Sequence, residues 1–187
     1  KKLKELSGVG LTDAKKALVE ADGDFDKALK AMREKGLTKA EKRGDRETRE
    51  GVVSSYIHDN RLGAIVEVNC ETSFVANTDE FKELAHKLAM QIASMNPLYV
   101  SEADIPEAAY NEKAAEFEAN FKGPENMKDQ IIEGQIKKAF ADKVLMLQPY
   151  ILDDSKTVAE FIKEMIAKTG ENITIRQFKR IELGVNE

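Results

Sequence analysis

The sequence is poor in the residues that most often mark chemistry. Among its 187 residues there is one cysteine, Cys70, and there are two histidines, His58 and His86, and no tryptophan. A single cysteine excludes a disulfide framework within the chain and a zinc site built on cysteines. The histidines are far apart, with no spacing that would hold a metal. No apolar run approaches the 18 or so residues of a membrane-spanning helix, so no membrane contact is expected. Lys1 to Gly8 lack the apolar stretch of a secretory signal. The expectation is a soluble protein of the cytoplasm or of an organelle matrix. Neither a Gly-x-x-x-x-Gly-Lys-Ser/Thr phosphate loop nor a Gly-x-Gly-x-x-Gly dinucleotide fingerprint occurs. An excess of basic charge is missing too. With 29 Lys and Arg against 34 Asp and Glu the net charge is −5, which argues against direct nucleic-acid binding.

What is present is enough apolar residue, 42%, to bury a core at this length. Charge is unevenly distributed. Residues 1–50 hold 14 basic and 11 acidic side chains, a balance of +3, whereas 51–187 hold 15 and 23, a balance of −8. The shift predicts a boundary near residue 50: a helical module over 1–37, a charged linker over 38–50 and a core domain over 51–187.

Three short helices are expected in the first module: Lys2 to Leu6, a second starting at Thr12-Asp13, and a third carrying Phe25, Ala28, Leu29 and Met32 at helical spacing and ending at Gly36. Residues 38–50 have almost no apolar content and read as a solvated helical or extended connection. From Val52 the period becomes two. Val52 to His58, a turn at Asp59-Asn60, and the alternation Leu62, Ala64, Val66, Val68, Cys70 predict a β-hairpin. Ile173 to Leu183 supplies a third strand, whose alternation slips at Gln177 and admits a bulge. Between these strands fall a helix from about Asn77, which with Glu80 resembles a capping box, to Asn96-Pro97; a helical hairpin over about 104–143; and a helix capped by Thr157 and Glu160 and ended by Gly170. The fold class is α+β, a small three-stranded antiparallel sheet covered by helices.

No catalytic constellation emerges, and no enzyme is expected. Cys70 lies on the apolar phase of its strand and reads as a buried structural thiol rather than a nucleophile. His58 belongs to a hairpin end, and His86 to the solvated side of its helix. Gly8-Val9-Gly10 reads as a turn, although its N–H groups could meet an anion. One segment breaks its local pattern. Thr72-Ser73-Phe74-Val75-Ala76 places two apolar residues in a short connection, where polar residues belong. Either both tuck beneath the sheet, or Phe74 projects as an anchor for a partner, a role aromatic residues commonly fill.

Two stretches make the chain similar to a known family. Leu3-Lys4-Glu5-Leu6-Ser7-Gly8-Val9-Gly10-Leu11-Thr12-Asp13-Ala14-Lys15-Lys16-Ala17-Leu18 and Glu67-Val68-Asn69-Cys70-Glu71-Thr72-Ser73-Phe74-Val75-Ala76 resemble the two signatures of the elongation factor Ts family. Met90-Gln91-Ile92-Ala93, Glu171-Asn172-Ile173 and Arg180-Ile181-Glu182-Leu183-Gly184 agree with it as well. The resemblance implies a guanine-nucleotide exchange factor for elongation factor Tu, in a short form with one core repeat and an N-terminal three-helix module like ubiquitin-associated domains. It implies that Thr72, Ser73, Phe74 and Val75 disturb the Mg²⁺ and phosphate site of Tu, and that Val9, Gly10, Leu11 and Thr12 bind Tu through the N-terminal module. Mg²⁺ then belongs to the partner, and the chain needs no cofactor of its own. A homodimer through the C-terminal region is also implied. Lys4 stands where the family usually has Arg and Ser7 where it usually has Thr; the two departures that matter are Ser73, where Asp is usual, and Gln91, where His is frequent. On residues alone, two other readings stay open, an interaction module whose first three helices bind a ubiquitin-like or nascent-chain partner, and an enzyme using Cys70.

Overall fold

A computed structural model describes Lys2, Leu3 and residues 11–185, the side chains at 33 and 35–41 aside. Helices α1 (Leu11–Glu20) and α2 (Phe25–Glu41) lead into strands β1 (Glu50–His58) and β2 (Leu62–Cys70). A single helical turn, α3 (Ser73–Ala76), precedes the long helix α4 (Asp79–Met95). The helical pair α5 (Glu107–Ala119) and α6 (Lys128–Phe140) follows, then the short ladder β3 (Pro149–Tyr150) with β4 (Asp153–Thr157), helix α7 (Val158–Thr169) and strand β5 (Ile173–Glu182).

The sheet has the order β1-β2-β5 and is antiparallel throughout. This is the α+β architecture expected from the alternation of periods. The hairpin turns at Asp59 and Asn60, both at positive φ (49° and 56°), where short polar side chains are tolerated. Glu67 pairs with Gln177 but Val68 pairs with Ile175, so Arg176 is the extra residue of a bulge, one position from the slip at Gln177. Gly51 is required by close approach: a Cβ there would lie 2.2 Å from the Val68 carbonyl oxygen.

The core forms on one face of this sheet. Ala64, Val66, Val68 and Cys70 of β2 meet Phe81, Leu84, Leu88 and Ile92 of α4 and Val158, Ile162 and Ile166 of α7. A second cluster holds α5 and α6 together through Ile132, Ile136 and Phe140. Leu3, Ala14, Ala28 and Met32 form a small third cluster among the N-terminal helices.

Two local expectations are corrected, and one short ladder is new. Helix α2 runs past Gly36 to Glu41, because one glycine costs only about 1 kcal/mol in a helix and α2 continues as a packing partner of α7. The cap of α4 is Thr78, whose Oγ1 accepts from Phe81 N–H at 3.2 Å; Asn77 instead closes α3, its side chain donating to Ser73 O at 2.8 Å. The ladder β3–β4 has no apolar alternation to announce it; Gln91 holds it from α4. The polar stretch after α2 is tied down by hydrogen bonds in place of burial. Thr48 Oγ1 and Thr174 Oγ1 are 2.8 Å apart, and the buried Asn172 amide donates to the carbonyls of Gly44 and Arg46 at 3.1 and 2.8 Å.

Candidate functional site

The segment Thr72 to Ala76 is a helical turn, and it divides its two apolar residues between opposite environments. Val75 is 7% exposed and joins the main core with Ala76, while Phe74 is 82% exposed. Successive residues of a helix point about 100° apart, so a single turn can seat one side chain in the core and send its neighbour into solvent. Of the two alternatives left by the sequence, Val75 follows the first and Phe74 the second. Ser73 is exposed beside the ring.

The turn is held from several sides. Thr72 has extended backbone (φ −129°, ψ 150°) and caps α3, its Oγ1 accepting from Val75 N–H at 3.4 Å. The same hydroxyl donates to Glu171 Oε1 at 2.6 Å. Glu171 Oε2 accepts the backbone N–H groups of Glu71 and Thr72 at 3.1 and 3.0 Å. In return Glu71 Oε1 accepts Asn172 N–H at 2.6 Å, and Arg46 approaches the same carboxylate at 3.4 Å. Cys70 Sγ donates to Thr72 O at 3.3 Å. On residues alone, Gly170-Glu171-Asn172 reads as nothing more than a helix-ending turn. Its carboxylate is brought to Thr72 by the pairing of Cys70 with Ile173, a contact across a hundred residues that no local pattern signals.

Cys70 itself is fully buried, and burial together with the negative charge of Glu171 pushes its thiol from 9.0 up to about 11. A neutral, inaccessible sulfur is a poor nucleophile, which disfavours the Cys70 enzyme reading. His86 is exposed on α4, its Nδ1 3.2 Å from Ser55 O, and His58 pairs with Tyr56 at the hairpin end, 3.0 Å from its hydroxyl. Among the described residues, no group of three or more His, Cys, Asp and Glu is placed to hold a metal ion, and no helix is long and apolar enough to cross a membrane.

The other site residues divide. Leu11 and Thr12 are exposed at the start of α1; Val9 and Gly10 lie outside the described residues. No described contact brings Leu11 or Thr12 next to Phe74. Gln91 is completely buried. Its Nε2 donates to Gln148 Oε1 and Pro149 O, both at 3.1 Å, and its Oε1 accepts Ile151 N–H at 2.8 Å. The departure from the frequent His therefore alters an interior hydrogen-bond set and not a surface.

By fold and site, this is an α+β chain whose conspicuous feature is an exposed aromatic ring on a fastened turn. The family model for elongation factor Ts matches residues 27–185. The elongation factor Ts of Thermotoga sp. (strain RQ2) is 49% identical over 186 residues, covering 98% of this chain and 94% of that protein. That of Thermoanaerobacter sp. (strain X514) is 48% identical over 188 residues, covering 98% and 92%, and that of Coprothermobacter proteolyticus 47% over 191 residues, covering 98% and 95%. The chain belongs to the elongation factor Ts family, a family of translation elongation factors.

Proposed function

We propose that this chain is a guanine-nucleotide exchange factor that binds elongation factor Tu carrying GDP and speeds GDP release, with Phe74 as its lever. Such a factor performs no bond chemistry. It binds nucleotide-free Tu more tightly than nucleotide-bound Tu, and by linkage it weakens nucleotide binding by the same factor. Each tenfold requires about 1.4 kcal/mol of differential binding. Thr72, Ser73 and Phe74 form the discriminating contact, with Val75 serving it from beneath by seating the turn in the core: the ring enters Tu near its Mg²⁺ and phosphate groups, and Mg²⁺ that loses its place no longer bridges nucleotide to protein. Val9, Gly10, Leu11 and Thr12 add binding that does not discriminate. The observation that carries this reading is the 82% exposure of Phe74 beside a buried Val75. Because Ser73 brings no carboxylate, its share of the contact is a hydroxyl hydrogen bond, and the ring is the lever.

The test is release of labelled GDP from Tu with the chain at substoichiometric amount. Acceleration with turnover supports the reading, and no acceleration at any concentration overturns it.

A second copy of the chain is a further partner, on the outer face of the sheet. Val53, Ile57, Ile65 and Ile181 are exposed there, and Gly63, paired with both Ile57 and Ile181, leaves a furrow between them. An apolar strip of this kind suits an isologous interface. Sedimentation should give a dimer that Ile181→Asp splits into monomers; a monomer at 100 μM on the order of typical assay concentrations would refute it.

A further inference from the structure

We infer that Glu171 is a positioning residue for Phe74, fixing the direction in which the ring leaves the surface; this rests on the exchange reading above. The turn α3 has four residues, far too few to hold itself as a helix. Phe74, mostly in solvent, draws its direction from the backbone beneath it. Val75 fastens that backbone on the core side. On the entry side the fastening is Glu171, which takes three hydrogen bonds, from Glu71 N–H, Thr72 N–H and the Thr72 hydroxyl. Bonds to an ionised carboxylate are stronger than neutral ones. The hydroxyl has one proton; by giving it to Glu171 it turns its lone pairs toward the Val75 N–H it caps. Clamp and cap thus act in series. Beside them Asn172 N–H donates to Glu71 Oε1, so the end of β2 and the start of β5 are stitched at the point where the turn begins. A ring already aimed loses less freedom on entering a partner than one swinging on a loose turn.

The chain has no tryptophan, so Phe74→Trp places a single tryptophan at the tip, which long-wavelength excitation selects over the four tyrosines. Time-resolved anisotropy of Trp at 74 in the free chain should show markedly more local motion when Glu171→Ala is added, with Glu171→Gln, which keeps one acceptor oxygen, falling between. In the GDP-release assay, Glu171→Ala in the otherwise unaltered chain should lower kcat/KM by about tenfold through lost preorganisation, with the circular dichroism spectrum unchanged. In a Phe74→Ala background the same change should have little further effect, because a residue acting through Phe74 is coupled to it. Equal losses in both backgrounds, or unaltered anisotropy, overturn the proposal. If Phe74→Ala alone leaves exchange intact, the lever reading fails, and the anisotropy of the free chain still decides whether Glu171 holds the turn.

Discussion

Replacing Phe74 with alanine separates the site from the fold. Full burial of a phenylalanine side chain is worth about 1.5–3 kcal/mol. At 82% exposure nearly all of that remains to be gained on entering a partner. A loss of about 2 kcal/mol corresponds to roughly thirtyfold, at 1.4 kcal/mol for each factor of ten. On the proposed mechanism the contact is made only when the nucleotide site of Tu opens, so kcat/KM for GDP release should fall roughly thirtyfold while affinity for Tu carrying GDP stays within a factor of about two. Stability should change by less than about 0.5 kcal/mol, as for other exposed substitutions. Stopped-flow release of fluorescent GDP, titration of Tu·GDP and urea denaturation measure the three quantities. Equal losses in exchange and affinity would refute the lever, and a stability loss above 1 kcal/mol, on the order of a core truncation, would refute the separation of ring from core.

Gln91→Met should destabilise the chain by about 3 kcal/mol in urea titration, since Ile151 N–H, Pro149 O and Gln148 Oε1 each lose the partner they have in Gln91. Gln91→His, which offers one donor and one acceptor, should lose less than half of that; equal losses would show that hydrogen bonding is not what the amide provides. The Cys70 thiol should react with iodoacetamide at pH 8 at least tenfold more slowly in the folded chain than in urea. Its folded value of about 11 lies above its ordinary 9.0, so the unfolded chain gives up the proton first, and stability should fall as pH rises from 9 toward 11. A Cys70→Ala variant should lack that component of the alkaline loss.

The parts legible in the sequence were those where one period ran long enough to state its environment. The strand Leu62–Cys70 declares its buried face by strict alternation, and α4 declares its own by Phe81, Leu84, Leu88 and Ile92. Thr157 with Glu160 is a reciprocal cap that the structure forms, with Glu160 Oε2 accepting Thr157 N–H at 2.7 Å. Boundaries set by tertiary contact were not legible. Gly36 looks like a stop until α7 is there to pack against, and Asn77 looks like a cap until Thr78 takes the position. The same limit hid the site's support: Phe74 announces itself as an apolar residue out of place, but Glu171 and Gln91 act at distances of 99 and 60 residues.

The place where the local rules fail is also the place most heavily constrained. An apolar ring left in water adds nothing to the core of this chain. Around that ring the structure concentrates hydrogen bonds: a capped turn, a carboxylate taking three donors, the Asn172 N–H given to Glu71 Oε1 and a buried thiol donating to Thr72 O. Disorder would explain an exposed ring on a loose loop, but not one on a turn tied to two strand ends. Conflict between local pattern and global order is expected where a surface serves something outside the fold. The rigidity has its own use there. On the proposed exchange mechanism a soft loop would yield when pressed against a closed pocket, whereas a turn anchored in the core through Val75 and in the sheet through Glu171 would transmit the load to its partner.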